Sequence, residues 1–250
     1  MSTYKIYFSA TNKTKNILDI LTSKFNNILE FNIADNNIKN IDFNKDDLTF
    51  FGVPSFAGRV PVNILNSIST FNGNGSNIVL VVTYGNRAYE DTLIELYDFF
   101  IEHNFNILAM MTVITNHSIV GNIAKDRPNN NDVRDILSFG DKILNKLNSN
   151  DYRLDVKVPG NRPYKEIKVS KLDIIVNDKC IKCGLCYKLC PTNAISQTNY
   201  TINKDRGISC MRCVYNCTSH ARYVSKVALD NLMSHLEKVC SEYKENEYYI

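Results

Sequence analysis

The chain has 250 residues, 44% hydrophobic and 22% charged, with a formal net charge of +3. That balance belongs to a globular protein with room for one large domain or two modest ones. The opening "MSTYKIYFSA" has no basic stretch before an apolar core, and no apolar run reaches the ~18 residues of a membrane span. A secretory leader and a membrane partner are therefore not expected, and the expected location is cytoplasmic.

Taken in chain order, the first 150 residues alternate β-rich runs with helical patterns. Strands are expected at "YKIYF" (4–8), "ILEFNI" (28–33), "LTFFGV" (48–53), "IVLVVTY" (78–84) and "ILAMMTVI" (107–114). Several are near-continuous apolar runs, as in a parallel sheet covered by helices on both faces. Helices are expected near 14–25, 61–70, 92–103 and 132–148, with Pro61 in a first turn and Asp91 as an N-cap. Five strands alternating with helices predict a doubly wound α/β domain, over residues 1–152. The segment 115–131, "TNHSIVGNIAKDRPNNN", exceeds the ~12–15 residues beyond which structureless loops become uncommon. It reads either as a cover over a ligand site, with His117 inside it, or as a plain Asn-rich insertion.

A Pro- and Gly-bearing stretch (153–171) reads as a linker. A cysteine-rich region (172–226) follows. The tail (227–250) carries an amphipathic helix, "VALDNLMSHLEKVCSEYKE", with Leu229, Met233, Leu236 and Cys240 on one stripe.

Three loops of the first domain carry binding chemistry. "YFSATNKTK" brings Ser9, Thr11 and Thr14, with Lys13, to a helix N-terminus, where unpaired N–H groups suit a phosphate. "GVPSFAGRVP" (52–61) and "TYGNRAYEDT" (83–92) follow the third and fourth strands. In a sheet of order 2-1-3-4-5 all three meet at the switch point. Glycines there let backbone approach a flat ring, and Phe56, Tyr84 and Tyr89 can stack on one or simply fill the core.

On these residues the chain resembles a flavodoxin, and more closely the flavodoxin-like module fused ahead of a bacterial ferredoxin in anaerobes. Ser9, Thr11 and Thr14, then Ala57, Gly58, Arg59 and Pro61, then all of "YGNRAYED" (84–91) carry the likeness. The resemblance implies FMN. Its phosphate would lie on Ser9, Thr11, Asn12, Lys13 and Thr14. Its ring would lie between Pro54, Ser55, Phe56, Ala57 and Gly58 on one side and Tyr84, Gly85, Asn86, Arg87, Tyr89 and Asp91 on the other. Ala10 and Asn12 stand where such loops often have glycine. Asn enters the left-handed region readily, whereas Ala10 is expected to resist it.

All eight cysteines fall at or after residue 180. Clustered cysteines without a disulfide framework read as metal ligands or reactive thiols. "CIKCGLCYKLCP" (180–191) has the spacing Cys-x2-Cys-x2-Cys-x3-Cys-Pro of an iron–sulfur motif. A two-knuckle zinc site from "CGLC" and "CMRC" would leave Cys180, Cys190 and Cys217 without a role. The second run, "DRGISCMRCVYNC" (205–217), aligns Cys210, Cys213 and Cys217 with Cys183, Cys186 and Cys190, and puts Gly207 opposite Cys180. Residues 172–226 resemble a two-cluster [4Fe-4S] ferredoxin, in which the fourth cysteine of each run crosses over. That resemblance gives one cluster Cys180, Cys183, Cys186 and Cys217. It leaves the other with Cys190, Cys210 and Cys213, and Thr218 replaces the usual proline. Four outcomes stand open for the second site: Cys240 as the missing ligand, Asp205 or water on a [4Fe-4S] cluster, a [3Fe-4S] cluster, or no cluster.

Residues 151–250 carry 16 Lys+Arg against 11 Asp+Glu, and residues 1–150 carry 13 against 15. A basic half can signal nucleic acid. Thiolate clusters supply the balancing negative charge, so no nucleic-acid partner is expected. No residue pair offers an acid–base or nucleophile arrangement, and no catalytic residue is assigned. The leading expectation is an electron carrier between FMN and the clusters, serving a redox partner protein, with the oligomeric state open. The second is an FMN-dependent reductase fed by the clusters, favoured if the 115–131 loop caps a pocket. The third is a non-redox or zinc-binding interaction module.

Overall fold

The computed structural model describes residues 1–35, 38, 41–62, 64–150, 152–167 and 171–250. The end of the expected linker, residues 168–170, lies outside the described residues. The first part of the chain runs β1 (Thr3–Tyr7), α1 (Lys13–Leu21), β2 (Ile28–Asn32), β3 (Leu48–Pro54), α2 (Ile64–Ser67), β4 (Asn77–Tyr84), α3 (Thr92–Glu102), β5 (Asn106–Ile114) and α4 (Asn130–Asn148). The cysteine region holds β6 (Ile174–Val176), α5 (Leu185–Lys188), α6 (Arg212–Tyr215) and β7 (Arg222–Val224). The tail holds α7 (Lys226–Val239) and β8 (Glu247–Tyr249). No helix among the described residues is long and apolar enough to cross a membrane.

The main sheet has the order β2-β1-β3-β4-β5-β8. Its first five strands are parallel, in the flavodoxin-like order 2-1-3-4-5. Successive strand residues face opposite sides, so adjacent apolar residues feed two cores. Phe51, Leu80 and Val82 join Leu93, Leu96 and Phe100 of α3 on one face. Phe50, Val79 and Val81 join Leu18 and Leu21 of α1 and Ile136 and Phe139 of α4 on the other.

Two elements differ from expectation. The helix expected over 61–70 is the single turn α2, and Pro61 precedes it, its carbonyl accepting from Ile64 N–H at 3.1 Å. The tail is not helical throughout. After α7 it returns to the main sheet, where β8 pairs antiparallel with β5, Met110 opposite Tyr249 and Thr112 opposite Glu247. β5 would otherwise present an open edge of unpaired backbone groups, which any extended segment can satisfy.

The cysteine region repeats itself in backbone conformation. Left-handed residues occur at Lys182, Gly184 and Asn193 in its first half and at Ser209, Met211 and His220 in its second. Each pair is separated by the same interval as Cys183 and Cys210. Gly184 and Met211 cap α5 and α6, at φ 76° and 66°. Methionine is held there against its intrinsic preference, so the second half keeps the loop geometry of the first where its sequence has drifted. β6 and β7 pair antiparallel and join the two ends of the region. A buried arginine ties it to the sheet domain: Arg212 donates to Asp35.

Candidate functional site

The three loops at the C-terminal edge of the sheet surround one cavity of about 460 Å³. Ser9, Thr11, Lys13 and Thr14 line it from the first loop. Pro54, Ser55, Phe56 and Ala57 line it from the second, and Tyr84, Gly85 and Arg87 from the third. The left-handed turn of the first loop falls on Asn12, at φ 61°, which caps α1. Ala10 keeps a negative φ, so the resistance expected of it is never called on. Ser9 Oγ accepts from Lys15 N–H at 3.2 Å, and Thr14 Oγ1 lies 2.8 Å from Thr83 Oγ1.

Asn12, Gly58, Asn86, Tyr89 and Asp91 do not line the cavity; they stand behind its walls. Gly58 sits at φ 86°, and a Cβ there would fall 1.7 Å from the Glu90 carboxylate. Arg87, with Lys165, holds the Glu90 carboxyl down at about 2. Asp91 makes no side-chain cap. It receives the N–H groups of Asn161 and Lys165 and so docks the linker. Tyr89 meets Tyr84 edge to face, with centroids 5.4 Å apart, and donates to Glu247 of β8. Asn86 donates to the carbonyls of Cys240 and Glu242. The tail therefore braces the third loop from outside.

The long loop takes the first of its two expected roles, a cover with His117 inside it, whereas the wall from the linker and α7 was not expected from the sequence. Thr115, Asn116, His117, Ser118 and Ile119 line the cavity from the long loop, Lys165 and Ile167 from the linker, and Leu232, His235 and Leu236 from α7. The long loop is anchored as a cover: Lys13 Nζ donates to Asn116 Oδ1 at 2.8 Å, and Thr11 Oγ1 lies 3.2 Å from Ser118 Oγ. Val120 and Ile123 pack with Leu236 and Cys240 of the tail.

His117 Nδ1 accepts from the N–H groups of Ile119 and Val120, at 3.2 and 3.0 Å, which leaves the proton on Nε2. Its ring lies against Gly85, where a Cβ would meet Cδ2 at 2.3 Å. Burial, helped by the nearby Lys13 charge, pushes His117 down to about 4. The unfolded chain then binds a proton that the folded chain refuses between the ordinary histidine value and about 4. Stability is full above about pH 6.5 and is lost as pH falls, by on the order of 2–3 kcal/mol at pH 4. The expected result is a fall in thermal midpoint between pH 7 and 4.5 that shrinks in His117→Gln; an equal fall in both proteins contradicts it.

The cysteines fall into two groups. Cys180, Cys183, Cys186 and Cys217 line a cavity of about 20 Å³. Cys190, Cys210 and Cys213 line another of about 40 Å³, with Gly207 on its wall. Cys240 is in neither; it caps α7, its Sγ 3.9 Å from the Gly85 carbonyl. None of the eight cysteines is in a disulfide. Among the described residues, no three His, Cys, Asp or Glu side chains gather closely enough to hold a single metal ion.

Two buried arginines serve these thiols. Arg222, 3% exposed, lines the first cavity. Burial pushes the Cys213 thiol up to about 12, and the Arg222 charge opposes the rise. Burial likewise pushes Cys210 up, opposed by the Arg212 N–H and guanidinium. Arg212, 7% exposed, keeps a buried Nη1 without a partner. Its other arm is paired with Asp35, so the charge is met and what Nη1 lacks is a further acceptor.

Residues 173–196 match the family model described as 4Fe-4S binding domain. Over 51 residues the chain is 37% identical to pyruvate synthase subunit PorD of Methanocaldococcus jannaschii, a match covering 19% of this chain and 59% of that protein. The chain thus spans about three-fifths of the length of the curated relative it matches. Among solved structures, a flavodoxin from the domain Archaea aligns at a TM-score of 0.45 and 12% identity, over 59% of this chain and 99% of its own. The Fusobacterium nucleatum flavodoxin bound to flavin mononucleotide aligns at 0.42 and 18% identity, over 58% and 99%. The chain therefore joins a sheet domain of flavodoxin-like order to a 4Fe-4S binding domain.

Proposed function

We propose that the chain is an electron-transfer flavo-iron–sulfur protein. Residues 1–152 would hold FMN and residues 172–226 iron–sulfur clusters, joined by the linker 153–171 and covered by the tail 227–250. One observation carries this reading: Ile208, Ser209 and Cys210 line both the large cavity and the Cys190/Cys210/Cys213 cavity. A thiol of the second cluster site is thus also a wall of the flavin site.

The residues present suit both groups. Hydroxyls, the α1 terminus and Lys13 offer donors to a phosphate at one end of the large cavity. Phe56 and Tyr84 offer aromatic faces to a ring. The thiols ring two cavities rather than converge on a point, which suits polynuclear iron better than one tetrahedral zinc. The unpaired Nη1 of Arg212 and the charge of Arg222 match the negative charge that thiolate clusters bring. Bound FMN would take up electrons in pairs and release them singly, and clusters move one at a time. The protein's part is to hold the two close, to exclude water with the 115–119 loop and α7, and to set the charge around the thiolates. Eight cysteines without a disulfide among them suit a reducing cytoplasm. The first site, with Cys183 exposed, would face a redox partner protein.

Anaerobic reconstitution of the full chain tests this. About one FMN and at least about four irons with equal sulfide per chain are expected. Zinc in place of iron, with no uptake of FMN, would contradict it and leave the zinc-binding module. The capping of the cavity by the 115–119 loop favours a second reading, an FMN-dependent reductase of a small molecule. Turnover of a small molecule at the flavin that is lost in Cys210→Ala while FMN is retained, as feeding by the clusters requires, would favour that reading.

A further inference from the structure

We infer that the second thiol cavity is a three-ligand site that holds a three-iron cluster, a cubane with one corner missing. The inference rests on the reading above, that these thiols bind inorganic iron. Cys190, Cys210 and Cys213 are the thiols on that cavity, and Gly207 occupies the fourth place on its wall.

The side chains that could restore a fourth ligand are elsewhere. Asp205 carries an 86% exposed side chain paired with Lys171 at 2.6 Å. Cys240 lies against Gly85, among Val120, Ile123 and Leu236. Of the hydroxyls on the wall, Thr192 Oγ1 lies 3.6 Å from Cys190 Sγ and so attends a thiol already counted. Ser209 Oγ accepts from Leu172 N–H at 3.1 Å.

What faces Gly207 is mostly hydrocarbon. A Cβ there would meet Ile202 Cγ2 at 3.3 Å, the Asn203 carbonyl at 3.4 Å and Ala194 Cβ at 4.0 Å. A fourth iron would need water or hydroxide as its outer ligand, and apolar walls penalise both. A three-iron cluster leaves that corner without metal and asks nothing of the wall. The site would then be set by the loss of one sulfur, since the left-handed turns that shape the loop, at Ser209, Met211 and His220, are all retained. Gly207 itself has no positive φ, so its backbone admits a cysteine. The two tight contacts ask Ile202 and Asn203 to give by a few tenths of an ångström.

The test uses the full chain, reconstituted and kept strictly anaerobic, with iron and sulfide counted and EPR recorded in the oxidised and reduced states. A three-iron cluster carries an unpaired spin when oxidised, whereas an oxidised four-iron cubane is diamagnetic. The expected result is about seven irons per chain, against about eight for two full cubanes, with an oxidised-state signal that integrates to one spin. Gly207→Cys is expected to raise the count by one iron and abolish that signal. Eight irons with no oxidised signal, a signal that appears only after exposure to air, or four irons would each overturn the inference while leaving the flavo-iron–sulfur reading intact. Absence of iron from both sites would overturn that reading itself. The native count and spectrum decide the matter even if the variant fails to fold.

Discussion

Cys210→Ala is expected to disconnect the flavin from the first cluster while emptying neither. Its thiol is one of three on the second cavity and also part of the large-cavity wall. Without it only Cys190 and Cys213 remain, too few to hold a cluster. The first thiol cavity is lined by Cys180, Cys183, Cys186 and Cys217 and on the proposed function would keep its about four irons. The first loop and Tyr84 are untouched, so FMN uptake is expected to stay. In stopped-flow mixing of the reduced protein with a one-electron acceptor, reoxidation of the flavin should slow by orders of magnitude. Cys186→Ala should do the converse, removing the first cluster and leaving flavin and second cluster in exchange. An unchanged flavin rate in Cys210→Ala would mean that electrons bypass the second site.

Arg127→Met is expected to cost about 3–5 kcal/mol of folding stability, the usual cost of stranding one member of a buried ion pair. Arg127 and Asp132 have side chains 7% and 4% exposed and meet through two bonds, at 2.5 and 2.8 Å. Asp132 also receives Asn129 N–H at 2.7 Å and closes the capping box of α4. Arg127 reaches the tail as well, donating to the Lys244 carbonyl at 3.0 Å and to Asn246 Oδ1 at 3.1 Å. Asn246 in turn accepts from Ile114 N–H at 2.9 Å. One guanidinium thus fastens loop, helix and β8 together. Urea unfolding reads the loss, and hydrogen exchange should speed at Met110–Thr112, where β8 pairs. Arg127→Met/Asp132→Leu should recover part of the stability, because no charge is then left buried alone, but not the share that Asp132 supplies by capping α4. A loss within experimental error for the single variant would show the pair to be dispensable.

The central strands were legible because they are buried on both faces: Leu48–Pro54 and Asn77–Tyr84 read as near-continuous apolar runs. β8 was not. Its Glu-Tyr-Tyr carries no pattern of its own and becomes a strand only because β5 offers an edge. How the thiols divide, with Cys190 and Cys217 each grouped with the other run, was what the resemblance to a two-cluster ferredoxin implied, and the two cavities gather them in the same way. The resemblance could not show that Cys210 also borders the large cavity. That juxtaposition comes from how the two domains meet, through contacts such as Arg212 with Asp35 and Ile208 with the main core. The walls given by Leu232, His235 and Leu236 are hidden for the same reason. Cys240 was half legible: its place on the apolar stripe of α7 pointed to packing, and the structure puts it there. Asp91 stands at the N-cap position of α3 as expected, but its oxygens are spent on the linker rather than on the helix N–H groups.

The most direct measurement is a reductive titration of the reconstituted protein, with flavin absorbance and cluster EPR followed in the same sample after a laser pulse places one electron on the chain. The expected result is that the electron, wherever it lands, redistributes between flavin and cluster within a single chain, at a rate independent of protein concentration. A rate that scales with concentration, or flavin and cluster populations that never exchange, would contradict it.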